Sequence, residues 1–326
     1  MASALKLAEP NESQTGEGGK PPIGSHQIVI LGVAGSNPVS HPLFGSVGEC
    51  KADIRRGEPA VEYHADKAFQ NASRVKTFLD SPLLYQRRYV AASPLPGPSS
   101  AGLELGTLVH GWLEEGDSFL ASLAVPPEET LTPTKQVGKE AKKWIADNHG
   151  PDATVVSPAV FAQVHNCVRA IRDNPAACRL LERVVERELS VRWTSPEGHK
   201  LRCRFDGLTA DGIVVDLKTT SDADILADWW RSVLKWRYHF SEAWYRRGME
   251  ACGMEPAPLR YLVVSTVQPH DCHVVTLPAH IVADGQRLMD RALTELRVRE
   301  DLGWWHSDCH GEEVELEFPR YLGSHT

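Results

Sequence analysis

Leu201-Arg-Cys-Arg-Phe-Asp206-Gly-Leu-Thr-Ala-Asp-Gly-Ile213-Val-Val-Asp216-Leu-Lys218-Thr-Thr is the stretch on which the fold turns. Apolar and polar residues alternate on both sides of a turn, which is the period of a half-buried strand. Leu201, Cys203 and Phe205 oppose Arg202, Arg204 and Asp206, while Ile213, Val215 and Leu217 oppose Val214, Asp216 and Lys218. Ala210-Asp211-Gly212 fits a three-residue hairpin loop with its glycine in the left-handed region. Such a loop pairs Thr209 with Ile213 and sets Asp206 opposite Asp216. Upstream, Glu188-Leu-Ser-Val-Arg-Trp193 reads as a third strand, with Leu189, Val191 and Trp193 facing away from Glu188, Ser190 and Arg192. A five-residue loop through Ser195-Pro-Glu-Gly-His sets Glu188 opposite Asp206. Glu186 is the alternative, being on the same face if the strand starts early.

Three carboxylates then cross adjacent strands, spaced by about 4.8 Å of sheet each. Clustered carboxylates repel one another, so a cation belongs among them. Oxygen ligands favour hard ions such as Mg2+, with Mn2+ as a substitute. Such an ion orients and acidifies water for attack on a phosphodiester. A lysine beside it, here Lys218, can position or deprotonate that water or stabilise charge in the transition state. The bland alternative is a half-buried hairpin whose charged face is solvated.

Outward from this centre the expected order is helices, antiparallel strands, helix, strand, helix, a single α/β domain. Helices fit Ser73–Leu79 with Ser73 as cap, Leu103–Glu115, Thr134–Asp147, Ser157–Asp173, Pro175–Glu186, a long region over Asp222–Glu250, and Ala279–Arg299. Short strands fit Arg260–Val267 and Cys272–Leu277. Residues 1–24 read as a polar, flexible tail and 25–60 give only one strand-like piece, Gln27–Gly32, so regular structure is expected from near Ser73. The organisation expected is thus 1–60 as tail and poorly assigned segment, 61–300 as the domain, and 301–326 as a second tail.

A length of 326 residues with 42% hydrophobic and 24% charged residues is ordinary globular usage. The net charge of -8 leans against a general nucleic-acid binder, though an enzyme that gathers carboxylates for metal can be acidic overall. Seven cysteines with no CxxC pair argue against a disulfide framework and a structural zinc or iron–sulfur site, and suit a reducing cytoplasm. Met1–Gly24 lacks the apolar run of a signal peptide, and Ile28–Ala34 is too short to span a bilayer, so a cytoplasmic location without membrane attachment is expected. Gly32-Val-Ala-Gly-Ser lacks the Gly-Lys-Ser/Thr ending of a phosphate loop.

An Asp followed about ten residues later by Asp-x-Lys resembles the signature of PD-(D/E)XK nucleases. Gly106-Thr-Leu-Val-His110 resembles the Gly-x-x-x-His helix of the branch containing the RecB nuclease domain and RecE (exonuclease VIII). Tyr238-His-Phe-Ser241-Glu-Ala-Trp-Tyr245 is similar to that branch's Tyr-His-x-Gln and Gln-x-x-x-Tyr motifs, with Ser241 in place of the glutamine. Tyr63-His-Ala-Asp, Ser73, Lys76-Thr-Phe-Leu-Asp-Ser-Pro82 and Tyr85 are similar to the start of RecE-like domains, so the likeness runs over roughly 60–300.

The resemblance implies an α/β fold with a mixed central sheet flanked by helices. It implies metal ligation by His110, Glu188, Asp206 and Asp216, with Lys218 as the catalytic lysine and Tyr245 in a DNA or active-site role. It further implies Mg-dependent hydrolysis of linear double-stranded DNA from the 5′ end, leaving a 3′ single strand. Implied with that are a homo-oligomer, a phage-type recombination setting in a bacterial or phage-infected host cell, and a strand-annealing protein as partner. CRISPR-associated exonucleases share the core but hold an iron–sulfur cluster on four cysteines, whose spacing is absent here. A non-catalytic DNA-binding module on a degenerate fold is the rival; it predicts loss of a carboxylate or the lysine, and Ser241 is the only erosion. An endonuclease is a second rival, and a metabolic enzyme with a chance hairpin, which would need a cofactor loop, is a third. Trp229, Trp230 and Trp236 read as core or subunit packing in preference to base stacking. Arg87-Arg88, Lys135/Lys139/Lys142/Lys143, Arg231/Lys235/Arg237 and Arg246-Arg247 are candidate phosphate contacts or solvated helix faces.

Overall fold

The computed structural model describes residues 52–97, 101–134, 137–150, 153–307 and 309–315. The tail expected over 1–24, the strand-like Gln27–Gly32, Ile28–Ala34, Cys50 and Lys135 lie outside them. Helix α2 (Ala72–Asp80) is capped by Asn71, whose side chain accepts from Arg74 N–H, and not by Ser73 as the sequence suggested. Its continuation α3 (Pro82–Tyr85) starts where Ser81 accepts from Leu84 N–H and proline occupies the first turn. Then come α4 (Ala101–Glu115), α5 (Asp117–Ser122), α6 (Lys139–Asn148), α7 (Pro158–Asp173) and α8 (Pro175–Glu182). Ser157 and Asn174 cap α7 and α8, each followed by proline, as those start signals predict.

Two elements precede the point where regular structure was expected: β1 (Asp53–Arg55) and α1 (Ala60–Ala65). The sheet continues with β2 (Val184–Thr194), β3 (Lys200–Thr209), β4 (Val214–Thr220), β5 (Arg260–Ser265) and β6 (Cys272–Val275). The strands lie in sequence order, β1 to β6. Every neighbouring pair is antiparallel except β4–β5, which is parallel. The crossover between them is not the single long helix expected over Asp222–Glu250. It breaks into α9 (Ile225–Lys235) and α10 (Tyr238–Ala251), because Arg237 takes a left-handed conformation with φ 49°. The last helix, α11 (Ala279–Leu302), ends at Gly303.

The mixed sheet separates two apolar layers. One, built from α2, α3, α9, α10 and α11, packs Val75, Phe78, Trp229, Phe240, Trp244 and Leu293 on one side. The other, built from α4, α5, α7 and α8, packs Leu105, Val109, Trp112, Val164 and Ile171 on the opposite side. Strand β4 contributes Val214 to the first and Val215 and Leu217 to the second, so it is covered on both faces. The polar face of the central strands is therefore enclosed: Asp216 and Arg202 are each 1% exposed, and Arg192 is 2% exposed. These buried cations have fixed partners, as burial of a charge requires. Arg192 bridges Glu58 through both terminal nitrogens, and Arg202 donates to the carbonyl of Tyr63. Trp305, in the segment expected to be a tail, stacks on Tyr85 at 5.6 Å. Among the described residues no helix is long and apolar enough to cross a membrane.

Candidate metal centre

The β2–β3 hairpin pairs Arg187 with Gly207 and Leu189 with Phe205, which sets Glu188 across from Asp206. The β3–β4 hairpin pairs Gly207 with Val215 and Leu208 with Val214, with Thr209 N–H donating to Ile213 O and Gly212 at φ 78°. The paired positions end at Gly207–Val215, one step short of the Asp206–Asp216 pair that the loop lengths predict. Beyond Gly207 the two strands part. Asp206 takes over from the backbone there, its Oδ2 accepting the Leu217 N–H at 2.8 Å. Glu188 sits at φ 49°, a left-handed residue inside a strand. Such a conformation costs about 1–2 kcal/mol for a residue other than glycine and is characteristic of functional positions.

Helix α4 supplies the third group. A Cβ on Gly106 would lie 3.2 Å from Thr219 Oγ1, so the glycine lets α4 pass close over β4. One turn later His110 brings Nδ1 to 3.4 Å from Asp206 Oδ2. His110, Glu188 and Asp206 each offer a ligand atom, and these atoms lie within 4.8 Å of one another. Asp216 does not join that group. Its Oδ2 lies 2.6 Å from Lys218 Nζ, at ion-pair distance but with no donor aligned on it, and its Oδ1 lies 3.5 Å from Tyr245 Oη. Glu188 is ion-paired to Arg204, and Arg204 lies 3.9 Å from Glu114. Glu186, the alternative ligand, bonds Arg56 at 2.6 Å instead.

Residues 72–306 match the family described as "PDDEXK-like domain of unknown function" (DUF3799). The chain belongs to this family. A solved crystal structure of a protein named "Putative exonuclease", from Eubacterium rectale, superposes on the PDDEXK-like fold with a TM-score of 0.55. It is 14% identical in sequence and covers 83% of this chain and 98% of its own. No curated protein matches the sequence.

Within this PDDEXK-like domain the donor set fits a divalent cation on electrostatic grounds. Glu188 is pushed up to about 8, by burial first and by Asp206 second, against the lowering effect of Arg204. Asp216 is raised by burial, although Lys218 opposes it. Carboxylates forced this close without a cation hold protons instead. Since the folded value of Glu188 lies above its ordinary 4.5, the folded state binds that proton more tightly than the unfolded chain does. Its contribution to stability is fully present below about pH 4.5 and is lost as pH rises towards 8. A cation must displace the same proton. Thermal unfolding of the chelated protein should thus show a midpoint that falls across this window, while the increment from added magnesium grows. An increment that stays flat between about pH 5 and 8 would tell against Glu188 as a ligand.

The other expected contacts resolve as follows. Trp229 is core at 3% exposed, whereas Trp230 and Trp236 are 54% and 53% exposed. Arg231, Arg237 and Arg247 pair with Asp228, Asp80 and Asp290, and Arg246 reaches Glu242 at 3.4 Å. Sequence reasoning missed Arg204 and Glu114 as part of the centre. Their positions carried the signal: Arg204 shares the Asp206 face of β3, and Glu114 lies four residues after His110 on α4.

Proposed function

We propose that this protein is a Mg-dependent exodeoxyribonuclease that degrades linear double-stranded DNA, 5′ to 3′, in phage-type homologous recombination. The observation that carries the reading is the meeting of His110, Glu188 and Asp206 within 4.8 Å beside buried Asp216 and its half-buried partner Lys218. His110, Glu188, Asp206 and Asp216 would hold the ion, with Mn2+ able to replace Mg2+. When bound, the ion supplies an acidified, oriented water and neutralises charge on the scissile phosphate.

The protein's own groups do the remaining work. Burial pulls the Lys218 ammonium down, but Asp216 and Asp206 together outweigh it and hold Lys218 above its ordinary value. Lys218 is therefore a charged donor at neutral pH. It can orient the attacking water and stabilise charge growing on the phosphoryl oxygens. Tyr245, T-packed on Phe205 at 5.7 Å, steadies the Asp216 carboxylate.

DNA ends as substrate, a homo-oligomeric assembly and a strand-annealing partner complete the proposal, and all three rest on the RecE-like motifs around Lys76, His110 and Tyr245. The "Putative exonuclease" description of the structural relative agrees with it. The deciding experiment is digestion of end-labelled linear duplex beside a closed-circular control, each with magnesium. Mononucleotide release from the linear substrate alone is the expected result. Cutting of closed circles would make the protein an endonuclease of the same superfamily. No cleavage with either magnesium or manganese would leave a DNA-binding module.

A further inference from the structure

Lys76 is a cation near the centre that the proposed mechanism does not use. It lies on α2, which packs against α10 and α11, and it crosses to α10 to donate to Ser241 Oγ at 2.5 Å. Its ammonium lies 5.6 Å from the centre of the Tyr238 ring, and that of Lys218 lies 5.4 Å from the same centre. Two ammonium groups thus share one aromatic ring, and the partner that fixes Lys76 is a neutral hydroxyl. Burial first, and Lys218 second, draw Lys76 down to about 7, so the pair is a costly arrangement for the protein alone. A phosphate placed between two such cations removes the cost and keeps both charged.

Position 241 adds a second argument. The motif that this helix resembles has glutamine there. Serine is shorter and accepts from Lys76, so this wall presents an ammonium where a carboxamide would otherwise stand.

We propose that Lys76, positioned by Ser241, binds a backbone phosphate of the DNA strand next to the one held at the metal centre. The proposal rests on the nuclease reading for its substrate, so its test separates binding from cleavage. Binding of a short linear duplex is measured by fluorescence anisotropy with calcium in place of magnesium, for wild type, Lys76→Met and Lys76→Arg, between 50 and 200 mM salt. Lys76→Met is expected to weaken binding roughly tenfold and to reduce the slope of log K against log salt by about 1, the loss of one phosphate contact. Lys76→Arg is expected to keep the slope. If the methionine variant does not fold, Lys76→Gln, which still donates to Ser241, replaces it. An unchanged slope in a folded Lys76→Met or Lys76→Gln overturns the proposal. Wild-type protein that binds in calcium but cleaves in neither magnesium nor manganese sinks the nuclease reading while the slope still judges Lys76. Wild-type protein that binds no DNA overturns both.

Discussion

Asp206→Asn is expected to lower cleavage of linear duplex DNA by about 10³-fold or more, a barrier increase of roughly 4 kcal/mol, while the protein stays folded. The asparagine keeps an oxygen that can accept from Leu217 N–H, so the fork between β3 and β4 survives. What it loses is the anionic oxygen next to His110 and Glu188. Removing one of several mutually repelling carboxylates should leave the unfolding midpoint of the chelated protein unchanged or raised, and lower its affinity for manganese. The two readouts move in opposite directions, which separates a functional carboxylate from a structural one. A variant that unfolds early and retains measurable cleavage would refute the role given to Asp206.

Lys218→Met should cost about 10²–10³-fold in turnover, by a different route. The long apolar stem keeps its packing, but Asp216, 1% exposed, loses the cation at 2.6 Å. Breaking a buried pair of this kind costs about 3–5 kcal/mol when the remaining charge is uncompensated. The chelated variant should therefore melt well below wild type. A divalent cation would recover much of the loss, because Asp216 is freed to face it. Calorimetric titration with manganese is expected to show affinity retained or increased, with turnover gone. Turnover near the wild-type rate would remove Lys218 from the mechanism.

The register of the three central strands was largely legible because two short loops and a period of two restrict it, with only the choice between Glu188 and Glu186 left open. Gly212 closes one hairpin, and a slip by one residue would bury every charge on the wrong side. His110 was legible through a glycine four residues earlier, for which close approach to Thr219 supplies the physical reason. Other features had no local signal. Arg237 breaks the crossover helix by adopting a left-handed conformation that no glycine, proline or asparagine announces. Strand β1 is three residues long and exists only because β2 offers an edge. The enclosure of the polar face depends on helices far away in sequence, so alternation alone reads as a solvated face. The turn of Asp216 towards Lys218 is a choice of side-chain rotamer, which pattern cannot express.

Strand β4, one half of the sheet's parallel pair, becomes fully paired only late in synthesis. It carries both Asp216 and Lys218, yet it pairs over two residue positions with β3 and over six with β5. Strand β5 emerges from the ribosome only after α9 and α10. Until then the β5 side of β4 is an unpaired edge, open to unwanted pairing with other chains. A partly made chain therefore has its carboxylates but no fixed place for them. Completion of the sheet around Asp216 and Lys218 thus waits for the last third of the domain.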